Sequence, residues 1–147
     1  MSDEPDLLAL ENQVCFALAV AARGVIGAYR PLLEPLGLTH PQYLVMLSLW
    51  GIEPQSQRDL ARALQLDPAT LSPLLKRLES QGYVDRSRRV GDERTLDIRL
   101  TPEGRALREQ ALGIPPAVVE RLGMSIDELT ELRESLGRVI EAVQPTS

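Results

Sequence analysis

The chain has one cysteine and one histidine in 147 residues. A single cysteine rules out an internal disulfide and fits a reducing compartment, so a cytoplasmic protein is expected. One cysteine and one histidine are too small a donor set for a protein-held zinc ion, and no cofactor is expected either. Aromatic residues make up only 3%, so Leu, Val and Ala have to fill the core. No uninterrupted apolar run approaches the roughly 18 residues of a membrane span, and no membrane partner is expected. The start, Met1 to Asp6, is acidic and polar, unlike a secretory signal. Internal repeats and low-complexity segments are also missing.

A positive charge balance is missing too. The net charge is −5, which argues against a simple nucleic-acid binder. The distribution weakens that objection. Residues 1–55 carry two Arg against six acids, and residues 106–147 carry four Arg against seven. Residues 56–105 carry ten Lys/Arg against eight acids, the only positive segment. A local basic face is enough to hold phosphate.

The stretch Asp67 to Gly104 lies in that segment. Asp67 can cap a helix, and Pro68 suits its first position. Leu71, Leu74, Leu75 and Leu78 form one apolar stripe. The other face carries Thr70, Ser72, Pro73, Lys76, Arg77 and Ser80, and Gly82 fits the position past the helix end. Two runs follow, Tyr83–Arg88 and Leu96–Leu100, joined by residues 89–95. Leu96, Ile98 and Leu100 alternate with Asp97 and Arg99, the period of a half-buried strand. A helix with a small-polar and basic outer face, followed by an arginine-tipped hairpin, suits DNA. The helix would enter the major groove and the hairpin would reach the backbone or minor groove. Arg86, Arg88 and Arg94 are the candidate hairpin contacts, with Asp92 holding the turn. Pro73 breaks a local rule, since it falls inside the expected helix: it kinks that helix or marks a later start at Ser72.

The remaining elements are helical. Residues 7–30 read as one long helix with Val14, Cys15, Leu18, Ala22, Val25, Ile26 and Tyr29 at helical spacing, ended by Pro31. Thr39 caps a second, mostly apolar helix with His40 and Pro41 at its start. Ser56 opens a third, and the third and fourth form a helix-turn-helix with the hairpin as its wing. Thr101 and Pro102 start a helix that Gly113, Pro115 and Pro116 interrupt. Ser125 and Glu128 form a capping box for the last one. The expectation is a single mainly α domain over residues 1–147 with a small β hairpin. Within it, a winged helix-turn-helix core spans 39–101 and dimerisation helices span 7–30 and 103–143. Those flanking helices carry more apolar surface than the small core can cover. Pairing with a second copy would place two reading helices on a palindromic site.

This order of elements resembles the MarR family of bacterial repressors. Asp92-Glu93-Arg94 followed by Leu100-Thr101-Pro102-Glu103-Gly104 looks like the family's wing hallmark. Leu10-Glu11-Asn12-Gln13-Val14-Cys15-Phe16-Ala17-Leu18 is similar to the sensing-cysteine segment of its OhrR branch, the organic hydroperoxide sensors. Pro41-Gln42-Tyr43-Leu44 and Leu71-Ser72-Pro73-Leu74-Leu75-Lys76-Arg77-Leu78 are similar to that branch as well. The resemblance implies a repressor whose reduced homodimer binds operator DNA, and whose Cys15 is oxidised by an organic hydroperoxide. With one cysteine, the sulfenic acid has to react onward with a small cellular thiol, a backbone nitrogen or more oxidant. The family activates its cysteine by hydrogen bonds from two tyrosines. Tyr29 matches the first, and His40 stands where the second often is, with Tyr43 nearby. An imidazole can donate a hydrogen bond and, when protonated, favours a thiolate.

The rival readings are a MarR-type repressor released by a small phenolic ligand, a thiol peroxidase, and a winged helix used only for protein contacts. Taken alone, Cys15 on an apolar helix face reads as an inert buried thiol. A helix running unbroken from 15 to 29 would separate those two alpha carbons by roughly 21 Å, so a Tyr29–Cys15 contact would need the partner subunit.

Overall fold

The computed structural model describes residues 6–10 and 13–144. Glu11 and Asn12, inside the expected first helix, lie outside the described residues, as does most of the acidic start. The chain forms two compact units, Met1–Leu112 and Gly113–Ser147.

The first unit opens with a turn rather than a helix. Asp6 accepts a bond from the Leu8 amide at 3.0 Å, and the Gln13 side chain reaches back to the Leu7 and Ala9 carbonyls. Helix α1 then runs from Val14 to Leu33. The expected range 7–30 is therefore corrected at both ends. At the start, side-chain bonds satisfy the backbone locally and compete with helix. At the end, Pro31 stays inside the helix, and the extra turn places Leu33 in the core at 1% exposure. A short 3-10 turn, Glu34–Leu36, leads to Gly37, whose φ of +72° suits glycine. Helix α1 with this turn, Val14–Leu36, is long and apolar enough to cross a membrane by length and composition. Arg23 and Arg30 interrupt the run, which is why reading for an unbroken stretch passes over it.

Helix α2, His40–Gly51, is held at its start by a full capping box between Thr39 and Gln42. Gln42, Tyr43, Val45, Met46 and Leu49 are buried along it. A two-residue strand β1, Gln55–Ser56, precedes α3, Gln57–Leu64, and Ser56 caps α3 by accepting from the Asp59 amide. Gln65 turns the chain in the left-handed region, and α4 follows from Pro68 to Ser80 with Asp67 as its cap. Leu60, Leu71, Leu75, Leu78, Val45 and Met46 are fully buried. Each such side chain stabilises the fold by about 1.5–3 kcal/mol relative to exposure. Pro73 sits inside α4, which stays α-helical through it. The proline removes one helical bond to the Ala69 carbonyl, and Ala69 is exposed, so water can take that acceptor.

Strands β2, Val84–Arg89, and β3, Asp92–Leu100, form the wing, and β3 also pairs with β1, giving an antiparallel sheet ordered β1-β3-β2. The expected seven-residue connection 89–95 is corrected to a tight Val90-Gly91 turn, with Gly91 at φ +88°. Residues 93–95 are accommodated as an irregularity between the Arg88↔Leu96 and Arg89↔Asp92 pairs. Strand β1 carries no sequence signal, being two residues long. Its presence makes β3 central; Asp97, read as an outward residue, lies opposite Ser56 and Ser87 on it, is 4% exposed and pairs with Arg89.

Helix α5, Pro102–Ala111, closes this unit with Thr101 as its cap. Gly104 lies so near the Tyr83 carbonyl that a Cβ there would sit 2.1 Å from its oxygen. The second unit contains α6, Ile114–Leu122, and α7, Ile126–Val143. Helix α6 replaces the interruption expected at Gly113, Pro115 and Pro116. Those prolines occupy its first turn, where their missing N–H groups have no helical role. The capping box of Ser125 and Glu128 is present at α7.

Candidate DNA-reading and thiol sites

Helix α4 presents Thr70, Pro73, Lys76 and Arg77 as exposed residues, with Ser72 half-buried beside them. Pro73, Lys76, Arg77, Ser80 and Gln81 line a shallow hollow of about 470 Å³ on this face. Thr70 is partly committed: its amide and hydroxyl both donate to Asp67, at 2.9 and 3.0 Å. Those bonds hold the Asp67 carboxyl below its usual range, with the Thr70 amide as the largest cause.

The wing arginines divide by what they touch. Arg86 is half-buried and donates to Glu79 at 3.2 and 3.5 Å, tying β2 to the last turn of α4. Arg88 donates to the Glu93 carbonyl at 2.6 Å. Arg89 donates to Asp97 at 2.9 and 3.3 Å. Arg94 is exposed and makes no side-chain bond to any described residue. Asp92 accepts from the Arg94 amide at 3.1 Å and the Thr95 hydroxyl at 2.8 Å. The Thr95 hydroxyl is the larger cause of its lowered pKa. Asp92 thereby fixes the backbone from which Arg94 projects.

Between the wing and the start of α3 lies a groove of about 730 Å³, lined in part by Arg58, Pro68, Asp92, Arg94 and Thr95. Arg58 was not singled out from sequence. Its signal was weak, a lone arginine on the polar face of a short helix. Only the folding back of the hairpin brings it near Arg94. Together they make a positive rim beside the reading helix, able to hold a phosphate backbone.

Cys15 is the second residue of α1 and is exposed. Tyr29, near the other end of the same helix, packs edge-on against His40, with ring centroids 4.8 Å apart. Tyr43 lies 5.6 Å from Tyr29 and 6.5 Å from His40. The structure thus brings Tyr29, His40 and Tyr43 together and leaves Cys15 apart from them. Helix α1 is continuous, so Cys15 and Tyr29 are roughly 21 Å apart along it. Burial raises the pKa of Tyr29 and, with the nearby Tyr29 charge adding to it, that of Tyr43. Burial lowers His40. The cluster therefore presents neutral hydrogen-bond donors, two phenol O–H groups and an imidazole N–H.

A model of the MarR family matches residues 38–96, which span α2 to the middle of the wing. The chain is 38% identical over 143 residues to the organic hydroperoxide resistance transcriptional regulator of Bacillus subtilis (strain 168), covering 97% of each. Among solved structures it is similar to reduced AbfR bound to DNA, a Staphylococcus epidermidis protein. That match has a TM-score of 0.76 and 35% identity, over 91% of this chain and 94% of that one. It is also similar to the transcriptional repressor CouR bound to a 23-mer DNA duplex, with a TM-score of 0.82 and 25% identity over 93% and 99% of the two chains.

Proposed function

The chain belongs to the MarR family of DNA-binding transcriptional regulators and is not an enzyme, and from that premise we propose that it is a repressor released by organic hydroperoxide acting on Cys15. The observation that carries the reading is the separation of Cys15 from the Tyr29–His40–Tyr43 cluster along one unbroken helix. The donors that would activate the thiol are assembled, yet they cannot serve the cysteine of their own chain. A second copy laid against α1 brings each cluster to the other's Cys15. The sensor is then part of the dimer interface.

The exposed apolar residues support such a dimer. Val14, Phe16, Val20 and Ile26 on α1 are at least 42% exposed, and no residue of α7 is buried. Surface of this kind needs a partner. A two-fold dimer presents two α4 helices to successive major grooves, about 34 Å apart, on a palindromic operator. Arg94 and Arg88 of each wing, Arg58, and Lys76 and Arg77 of α4 hold the backbone. Thr70, Ser72 and Pro73 meet base edges. Arg86 serves by bracing the wing on α4 through Glu79.

In the chemical step the Cys15 thiolate attacks the outer oxygen of ROOH. The S–O bond forms as the O–O bond breaks, and the leaving alkoxide takes a proton to become ROH. The sulfur loses two electrons and becomes a sulfenic acid. A small cellular thiol can then condense with it, giving a mixed disulfide and water. Tyr29 and His40 of the partner donate hydrogen bonds that favour the thiolate. A protein working in this way sits in the reducing cytoplasm.

The test is operator binding with and without cumene hydroperoxide, followed by intact mass. Cys15→Ser should keep DNA binding and lose release. A mutant that still dissociates normally with oxidant refutes the sensing role of Cys15.

A further inference from the structure

The start of α2 and the end of α4 are joined by a run of polar bonds that the operator-reading face does not require. Gln42 is the third residue of α2, between His40 and Tyr43, and is 1% exposed. Its carbonyl oxygen accepts from the Thr39 amide at 2.9 Å, and its amide donates to the Gln81 side chain at 2.9 Å. Gln81 immediately follows α4, and its own amide donates to the Gly37 carbonyl at 2.6 Å. One residue beyond Gly82, the Tyr83 hydroxyl donates to the Leu36 carbonyl at 3.1 Å. The segment that carries His40 is therefore bonded directly to the end of the DNA-reading helix, within one subunit.

We propose that Gln81 is a positioning residue that couples the start of α2 to the orientation of α4, so that movement at His40 is felt as a tilt of the reading helix. This rests on the reading of Tyr29 and His40 as the partner of Cys15. The buried leucines of α4 hold it to the core without fixing its angle, because apolar contact is non-directional. The Gln42–Gln81–Gly37 bonds are directional and of fixed length. Their loss strands the Gln42 amide in the interior, which favours two discrete arrangements over a continuum. The lever is long. Helix α4 has 13 residues, so it is about 20 Å in length. Thr70 lies roughly 16 Å from Gln81 along it, so a tilt of about 5° about Gln81 moves Thr70 by roughly 1.4 Å, far more than a hydrogen bond to a base edge tolerates.

The test uses the full-length protein and a duplex selected from a random pool by the wild type. Gln81→Met and Gln42→Met keep side-chain volume and remove the bonds. In the reduced state each should weaken binding to the selected duplex by about five- to tenfold, with binding to unrelated DNA unchanged. The double variant should be no weaker than the worse single one, because one link is being cut twice. The ratio of reduced to oxidised affinity should shrink at least about threefold in Gln81→Met, while intact mass shows Cys15 oxidised to the same extent. A merely structural role would lower melting temperature without moving those ratios. Losses that multiply in the double variant, or variants that bind the selected duplex as the wild type does, overturn the link. If wild-type protein keeps its DNA after oxidation, the sensing reading falls, and the cycle on reduced protein still decides the link.

Discussion

Replacing Gly104 by alanine is a sharp test of how α5 meets the wing. A Cβ at that position lies 2.1 Å from the Tyr83 carbonyl oxygen, 3.1 Å from its carbon and 3.3 Å from Leu100 Cδ2. The nearest neighbour is backbone, so it cannot rotate away, and reaching even 3.0 Å requires about 0.9 Å of separation. Two bonds are strained by that movement: the Thr101 amide to the Tyr83 carbonyl at 3.1 Å, and the Trp50 indole N–H to the Gly104 carbonyl at 2.9 Å. Overpacking of this kind costs about 2 kcal/mol, and the two bonds contribute about 1 kcal/mol each. Alanine returns about 1 kcal/mol through helix propensity. The net loss is about 3 kcal/mol, which lowers the melting temperature by roughly 6–12 °C in a chain of this size. Thermal unfolding by circular dichroism measures it, at matched protein concentration because a dimer's melting depends on concentration. Gly51→Ala is the control. Gly51 ends α2 with nothing within 4 Å of an added Cβ, and that variant should melt within about 2 °C of wild type. Equal melting of Gly104→Ala and wild type would refute the close approach of α5 to Tyr83.

Arg94→Ala should weaken operator binding and lower the slope of log K against log salt by nearly two, one phosphate per subunit of the dimer. An unchanged slope in a salt series of gel shifts removes the wing tip from the interface. For His40, burial lowers the folded pKa below the ordinary value near 6.5, so the unfolded chain takes up the proton first. Stability should therefore decline as pH falls below about 6.5, until the folded pKa is passed, and His40→Phe should flatten that part of a melting-temperature profile.

Much of the fold was legible because its signals are local. The caps at Thr39, Ser56, Asp67, Thr101 and Ser125 name the starts of five helices, and the leucines of α4 announce its buried side. The features that escaped depend on distant partners. Strand β1 exists only because β3 offers an edge, and the buried Asp97 sits on that central strand with Arg89 as its ion-pair partner, a contact between positions eight residues apart. Pro31 looks like a stop until the reward for burying Leu33 is counted. Helix α6 hides behind two prolines that are harmless in a first turn. The site divides in the same way. Cys15, Tyr29 and His40 could be picked out by motif, and the distance from Cys15 to Tyr29 follows from one unbroken helix, but the packing of His40 and Tyr43 against Tyr29 depends on how α2 meets α1. Neither the role of Arg86 as a brace nor the meeting of Arg58 with Arg94 has a sequence signature.

A single thiol per subunit is energetically sufficient for the switch proposed. A hundredfold loss of operator affinity is about 2.8 kcal/mol, since each tenfold is about 1.4 kcal/mol. Two sensors in a dimer then need to supply about 1.4 kcal/mol each. One hydrogen bond to a charged group is worth about 1.5–3 kcal/mol, so losing a single donor contact from Tyr29 or His40 to the thiolate is enough if none of it dissipates. The demand therefore falls on transmission rather than on the chemistry. The route from His40 to α4 meets it with few loose joints: a capped helix start, one buried amide, and a second amide at the end of the reading helix. The acidic remainder of the chain would help the proposed release. At a net charge of −5, binding in the proposed mode would rest on a few placed cations, and a small misalignment of those would leave repulsion to finish the separation.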